Sequence, residues 1–527
     1  FVCKSKYNIM HPSFCLSLTL TFCIIPFVDS YKYVGIPLMW TSHFMEFLGP
    51  SRELINRGHE VYFIVASNCM IPSDVTKSGV KILTYASTGN EIGATEEFQN
   101  DAIKSIISGN DDLFYKYPKK IWTKQGDCLF NDKALFEQVK SLNFDYAIVD
   151  GFFFAPYLML YPHKLGIPYI ALTALLGLHW DIGVPHMPSV YPNQNIDFPP
   201  DMNFQQRVVN LFMYIALPYV TDSFNNNPDD LMEKYYPEAP AGTTMMEIFR
   251  DADLWLIDQD PILSYPRPTV PHMIFVGGLT TYPAKPLEAN IKNFIESSQH
   301  GLIVVSFGAY MAYLPKELTQ MLSDVFSNLD QQVIWRFKGK APKSVGNNVK
   351  LMEWIPQNDV LGHPNTKLFI GHGGSIGQFE AVYHAVPMIS IPCMPTDQKH
   401  NAVRIEHKNF GIGLSWATIT AEQLNETINE ILLNPKYSTS IKRASRMFRD
   451  RRSTPQELAA DSIIHATKYG TKHLQTRAKE MTKIKFFMLD ILFLFSLIAI
   501  AICVILWFLL KCLVQMIIKR QLKAKTD

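Results

Sequence analysis

The stretch Lys367-Leu368-Phe369-Ile370-Gly371-His372-Gly373-Gly374-Ser375 decides how this chain reads. An apolar run of strand character ends in glycines flanking a histidine, and a helix-patterned segment carrying Glu380 follows. Such a strand-to-helix turn lets a ligand approach the backbone closely. The first turn of the helix also offers an anion N–H groups that have no intrahelical partner. A diphosphate suits the turn, and the His372 imidazole adds a donor. Glycine-rich turns alone are common, so the surrounding pattern must carry the assignment.

Working outward, apolar runs at 302–307, 333–337, 367–370 and 388–391 read as strands with helices between them. Upstream, 31–37, 61–66 and 144–149 read the same way, with a helix over 52–57 closed by Gly58. A Pro-rich bridge at 265–286 separates the two series. Near-continuous apolar strands alternating with helices predict parallel sheets covered on both faces, hence an α/β chain of two doubly wound domains facing a cleft. Residues 204–248 break the rhythm. They read as a packed helical excursion, with a wall of an acceptor pocket or a membrane contact as alternatives. In open α/β sheets ligands bind beyond the carboxyl ends of the strands. His43 follows the first strand and Asp150 follows the 144–149 strand, so both belong to one rim. A histidine beside a carboxylate can act as general base; each residue alone reads more readily as a cap or a satisfied polar contact, and the two together read evenly as structure or chemistry.

The 527 residues are 47% hydrophobic and 18% charged, which predicts two or three domains and excludes a disordered or collagenous chain. With 49 Lys+Arg against 48 Asp+Glu there is no general basicity, so nucleic acid is not an expected partner. The 8 cysteines contain no C-x-x-C pair. Cys69, Cys128 and Cys393 allow at most one disulfide, and buried thiols are the simpler reading. Lys4 and Lys6 precede the apolar run 14–28, with small Ser30 after it, as in a secretory signal cleaved near Tyr31. Residues 491–510 carry no charge and are long enough to cross a bilayer; Lys511, Lys519, Arg520, Lys523 and Lys525 follow. By the positive-inside rule that tail is cytosolic and residues 31–485 luminal. Lys523-Ala524-Lys525-Thr526-Asp527 resembles a di-lysine signal for the endoplasmic reticulum, and Asn425-Glu426-Thr427 is a glycosylation pattern consistent with a luminal face.

The stretch 369–398, with His372-Gly373-Gly374, Glu380, Pro387, Pro392 and Asp397-Gln398, resembles the signature of the UDP-glycosyltransferases, in particular the membrane-bound UDP-glucuronosyltransferases of animals. The resemblance takes in Thr41-Ser42-His43, Asp145, Asp150, Phe275-Val276-Gly277-Gly278, Val305-Ser306-Phe307-Gly308, Trp335-Arg336 and Trp354-Ile355-Pro356-Gln357-Asn358, and so spans nearly the whole chain.

It implies a GT-B fold of two Rossmann-like domains. The expected organisation is a signal peptide over 1–30, an acceptor-binding domain over 31–280 and a linker over 281–300. A UDP-sugar-binding domain over 301–470, a juxtamembrane segment over 471–490, a transmembrane helix over 491–510 and a basic tail over 511–527 follow. By resemblance, Trp354 stacks on uracil, Gln357 reads its edge and Glu380 takes the ribose hydroxyls. Ser306, Gly308, His372, Gly374 and Ser375 line the diphosphate site, and Asp397 and Gln398 bind sugar hydroxyls. His43 corresponds to the base and Asp150 to its partner. The implied activity is inverting transfer from UDP-glucuronate or UDP-glucose to a small lipophilic acceptor. The UDP-sugar is then the co-substrate, with no cofactor, and no metal is expected because no Asp-x-Asp motif placed for a divalent ion stands near these strand ends. A non-catalytic binder of apolar ligands and a dedicated endogenous-lipid transferase are the alternatives, and a homo-oligomer is left open. The chain departs from the family at Ile376, in place of a frequent Asn, and at Ala309, in place of a frequent Ser. One extra residue before Asp397, with Pro395 and Thr396 in the gap, puts the sugar contacts in question.

Overall fold

The computed structural model describes residues 30–526 apart from 70, 88–95, 109–123, 153–154, 175–181, 185, 195, 225, 309–310 and 395–396. The leader expected over 1–30, except Ser30, and the departures at Ala309, Pro395 and Thr396 lie outside the described residues.

The first sheet contains β1 (Lys32–Ile36), β2 (Glu60–Ala66), β3 (Lys81–Tyr85), β4 (Tyr146–Asp150), β5 (Tyr169–Thr173), β6 (Trp255–Ile257) and β7 (Met273–Phe275), in the order β3-β2-β1-β4-β5-β6-β7. The second contains β8 (Leu302–Ser306), β9 (Gln332–Arg336), β10 (Val349–Met352), β11 (Thr366–Gly371), β12 (Met388–Ser390) and β13 (Gly411–Gly413), in the order β10-β9-β8-β11-β12-β13. Neighbouring strands run parallel throughout. In β4 (Tyr-Ala-Ile-Val-Asp) and β8 (Leu-Ile-Val-Val-Ser) every residue is buried, as a sheet covered on both faces requires. Strand order reverses between β1 and β4 in one sheet and between β8 and β11 in the other. Those two crevices are where such folds bind ligands.

The helix expected at 52–57 is only the end of the helix Thr41–Asn56, because Gly49 and Pro50 disguise its first turns. Pro50 has no N–H for the Glu46 carbonyl, yet the helix runs on, with Ser51 Oγ donating to the Phe47 carbonyl at 2.7 Å. Gly49 serves packing, since a Cβ there would lie 2.6 Å from the Leu279 carbonyl oxygen.

The helix Pro455–Tyr469, expected to close the second domain, instead packs on the first sheet. Ala459, Ala460, Ile463 and Ala466 share a core with Phe44, Leu48 and Val61. Its small residues allow close approach to the helix Thr41–Asn56, and Arg57 pairs with Asp461 across the contact. Conversely, the expected linker at 281–300 holds the helix Ala289–Glu296, whose Ile291 and Ile295 belong to a core of the second sheet. The chain therefore crosses between lobes twice, near 277–281 and near 450–454. Arg451 staples the crossings together, donating to Asp260 Oδ2 at 2.7 Å and to the Gly277 carbonyl at 3.3 Å. The helix Glu96–Ser108 also reaches over, its Ala102 and Ile103 fully buried against the second lobe.

The 204–248 stretch is helical over Phe204–Phe224, Asn226–Tyr235 and Met245–Arg250, the last begun by a Thr244/Glu247 capping box. The C-terminal helix Leu489–Lys523 has 35 residues, extends past the expected 491–510 at both ends, and is long and apolar enough to cross a membrane. At 1.5 Å per residue it measures roughly 50 Å.

Truncating Ile463, which is 0% exposed where the returning helix meets the first sheet, tests this closure. Ile463→Ala is expected to cost about 2–5 kcal/mol, read as a lowered denaturation midpoint with an unchanged denaturant slope.

Candidate active site

β1 pairs with β4 in register up to Ile36 and Val149, which places Leu38 beside Asp150 at the first crevice. Asp150 Oδ2 accepts the Leu38 N–H at 3.1 Å and lies 2.6 Å from His43 Nδ1, while Oδ1 accepts the Phe152 N–H at 3.1 Å. The carboxylate is fully buried, whereas the imidazole keeps 14% exposure. Trp40 and Phe152 flank the ring with centroids at 5.3 and 6.1 Å. A carboxylate that only accepts holds the imidazole proton on Nδ1 and leaves Nε2 as the basic nitrogen.

At the second crevice Ser306 ends β8 in register with Gly371 of β11. The His372 ring lies between two glycines. A Cβ on Gly308 (φ +79°) would come within 2.7 Å of its Cε1, and one on Gly374 would overlap its Nε2. Burial, with the Arg336 charge adding to it, lowers the His372 pKa to about 4, so the ring is neutral at pH 7. Gly374 is the N-cap of the helix Ser375–Tyr383, and the first helical bond returns from Gln378 N–H to the Gly374 carbonyl at 3.2 Å. The N–H groups of Ser375, Ile376 and Gly377 are therefore the ones left for a ligand. Ile376 supplies no side-chain donor but keeps its backbone one.

Trp354 is 55% exposed, with the Arg336 guanidinium 5.1 Å from its ring centroid. Gln357 opens the helix Gln357–Leu361 and donates from Nε2 to Glu380 Oε2 at 2.7 Å. Burial pushes the Glu380 carboxyl up to about 8, against the lowering effect of that bond. Asp397 and Gln398 open the helix Asp397–His407. Asn401 Nδ2 donates both to Asp397 Oδ2 (3.0 Å) and to the Gly373 carbonyl (2.8 Å), and Gln398 Oε1 accepts the Cys393 N–H at 2.8 Å. The extra residue thus leaves this pair tied to the glycine turn. All the expected donor-site residues gather on the second rim, and His43 and Asp150 meet on the first.

Several participants escape a reading of the sequence. Glu46, 3% exposed, stands one turn beyond His43. Burial, then the fields of Asp258, Asp150 and Asp397, hold its carboxyl well above the usual range. The i, i+3 spacing from His43 was the available signal, masked by the Gly49-Pro50 break. Arg336 stands in the sequence only as part of the Trp335-Arg336 motif, with nothing to mark its environment. Burial lowers its pKa to about 10, so it stays charged at pH 7, and no charged group among the described residues offsets it. An Asp-x-Asp pattern, Asp258-Gln259-Asp260, comes directly after β6, a strand not expected from the sequence. Its side chains are committed to structure, Asp258 Oδ1 accepting the Gly278 N–H at 2.6 Å and Asp260 pairing with Arg451.

Comparison with known proteins agrees with this geometry. The family described as UDP-glucoronosyl and UDP-glucosyl transferase matches residues 34–524. The chain belongs to that family. Among its relatives, a 2-hydroxyacylsphingosine 1-beta-galactosyltransferase of Rattus norvegicus is 31% identical over 88% of this chain and 85% of its own length. A UDP-glucuronosyltransferase 3A1 of Xenopus laevis is 30% identical over 95% and 97%. Solved structures share the fold. The glycosyltransferase of kitacinnamycin superposes with a TM-score of 0.55 at 18% identity, covering 84% of this chain and all of its own, and the calicheamicin glycosyltransferase CalG4 superposes with 0.54 at 16%. This glycosyltransferase is thus a GT-B enzyme with two Rossmann-like sheets and a C-terminal apolar helix.

Glu380 gives the transferase a pH signature. In the ribose-binding role that the family resemblance implies for Glu380, hydroxyls donate to the ionised carboxylate, so nucleotide binding would expel the proton that burial retains up to a pKa of about 8. Affinity for UDP-glucose, which does not itself titrate near neutrality, should rise with pH up to about 8 and level off above it. Calorimetry at pH 7 in buffers of different ionisation enthalpy should show proton release, absent in Glu380→Gln. Equal heats in all buffers for the unaltered protein would remove Glu380 from the ribose site.

Proposed function

We propose that this family member transfers a hexosyl group, glucuronosyl or glucosyl, from a UDP-sugar to a hydroxyl of a small lipophilic acceptor, with inversion at the anomeric carbon. The observation that carries this reading is the 2.6 Å bond between His43 Nδ1 and a fully buried Asp150, on the rim that shares the cleft with the glycine turn. His43 Nε2 takes the acceptor's proton as the oxygen attacks the anomeric carbon. The bond from that carbon to the β-phosphate oxygen breaks, and UDP leaves with the electron pair. Asp150 stabilises the imidazolium as it forms. Three backbone N–H groups at the start of Ser375–Tyr383, a neutral His372 and the uncompensated charge of Arg336 meet the developing negative charge. Fixed donors of this kind lower such barriers by several kcal/mol. Uracil stacks on the open face of Trp354, and Asp397 and Gln398 take sugar hydroxyls. The reaction so written uses the UDP-sugar as co-substrate and needs no further cofactor.

Relatives named for galactosyl transfer to a hydroxyacylsphingosine and for glucuronosyl transfer support a hydroxyl acceptor of apolar character. The same reading puts both lobes in the lumen of the endoplasmic reticulum, below a single type I span whose basic tail is cytosolic. The intact His43–Asp150 pair favours turnover over a binding-only role.

His43→Ala should lower kcat on a phenol acceptor about 10²–10⁴-fold while UDP affinity stays unchanged. Turnover at the unaltered rate would remove His43 as the base. Membranes assayed in parallel with labelled UDP-glucuronate and UDP-glucose read the donor.

A further inference from the structure

The helix Phe204–Phe224 turns an apolar stripe outward. Phe204, Val208, Leu211 and Phe212 follow the i, i+4, i+7, i+8 spacing of one helix face and are 72%, 52%, 46% and 67% exposed. The opposite face is fastened to the protein. Asn210 is fully buried, donates from Nδ2 to the carbonyls of Pro188 (2.7 Å) and Tyr191 (2.8 Å), and accepts the Asn193 N–H at 2.7 Å. The stripe therefore cannot roll inward, because that would expose this three-bonded amide.

What stands beside the stripe is the root of the C-terminal helix. After the helix Pro455–Tyr469 the chain is pinned to the first lobe rather than left as a tether. Thr471 Oγ1 donates to Asp253 Oδ1 at 2.7 Å, His272 Nδ1 and the Leu474 carbonyl lie 3.4 Å apart, and Lys479 Nζ donates to the Ala252 carbonyl at 3.1 Å. Phe487, 8% exposed, packs edge-on against Tyr214 of the same helix Phe204–Phe224, with ring centroids 5.2 Å apart. Only Met488 separates Phe487 from the helix Leu489–Lys523. Ile484 and Met488, 55% and 58% exposed, continue the apolar surface, and Lys483 and Lys485 lie in the same short helix Lys483–Phe486.

We propose that the outward face of Phe204–Phe224 is seated in the headgroup–acyl boundary of the leaflet that the C-terminal helix enters, so that the first lobe lies on the membrane as well as being anchored in it. The proposal rests on the reading of Leu489–Lys523 as a membrane span. Apolar faces of this size beside an anchor bury in that boundary as interfacial helices do.

The test uses the full chain in phosphatidylcholine vesicles with alkyne-tagged acyl chains. A photoreactive residue is introduced one position at a time, as Phe212→p-benzoylphenylalanine, Leu509→p-benzoylphenylalanine and Leu433→p-benzoylphenylalanine. Leu433 ends the helix Ala421–Leu433 of the second lobe and is 81% exposed. Lipid adducts at 212 and 509, at least tenfold above those at 433, are expected. Adducts at 509 with background labelling at 212, or chain-to-chain adducts at 212, overturn the membrane seat and leave the anchor standing. Background labelling at 509 overturns the anchor, and the seat with it.

Discussion

One buried carboxylate organises the first crevice. Asp150 ends a strand whose every residue is inside, and ionised it would be costly there without compensation. The compensation comes from three directions: the Leu38 N–H beyond the neighbouring strand, the Phe152 N–H just past its own, and His43 at the start of the following helix. The same contacts that make its burial tolerable fix the direction and tautomer of the imidazole. Stability and chemistry thus draw on a single group, and the reversal of strand order between β1 and β4 is what lets one side chain reach all three.

The second crevice is organised by absent atoms. His372 occupies space that Cβ atoms at positions 308 and 374 would take, and Gly373 (φ +83°) lets the Gln398 carbonyl come close, a Cβ there lying 3.0 Å from it. The glycine turn is therefore a packing solution that draws an imidazole, a helix start and the Asp397–Gln398 pair together, with Arg336 supplying a charge from the adjacent strand end.

How much of this was legible follows from range. The seven strands expected from apolar runs and the glycine turn are local patterns, each within a residue or two of its expected place, whereas β3, β5, β6, β7, β10 and β13 were not expected. The helix carrying His43 was cut short in the reading because Gly49 and Pro50 look like a terminus. Their tolerance comes from Leu279, more than 200 positions away. The return of Pro455–Tyr469 to the first sheet was equally hidden, since an Ala-lined face says that something packs closely and not what. Glu46 and Arg336 carry no motif of their own; their environments are made by groups brought in from other strands. His43 and Asp150 were found because the fold class names the rim where such residues must lie.

The double crossing between lobes has a mechanical corollary. Because the polypeptide returns to the first lobe before entering the apolar helix, the second lobe is an insertion joined by two adjacent threads that Arg451 clasps together. It is not the part that carries the anchor. Two close pivots favour swinging about one line over twisting. Any swing about those threads must also lift Ala102 and Ile103 of the first lobe out of the second lobe's core.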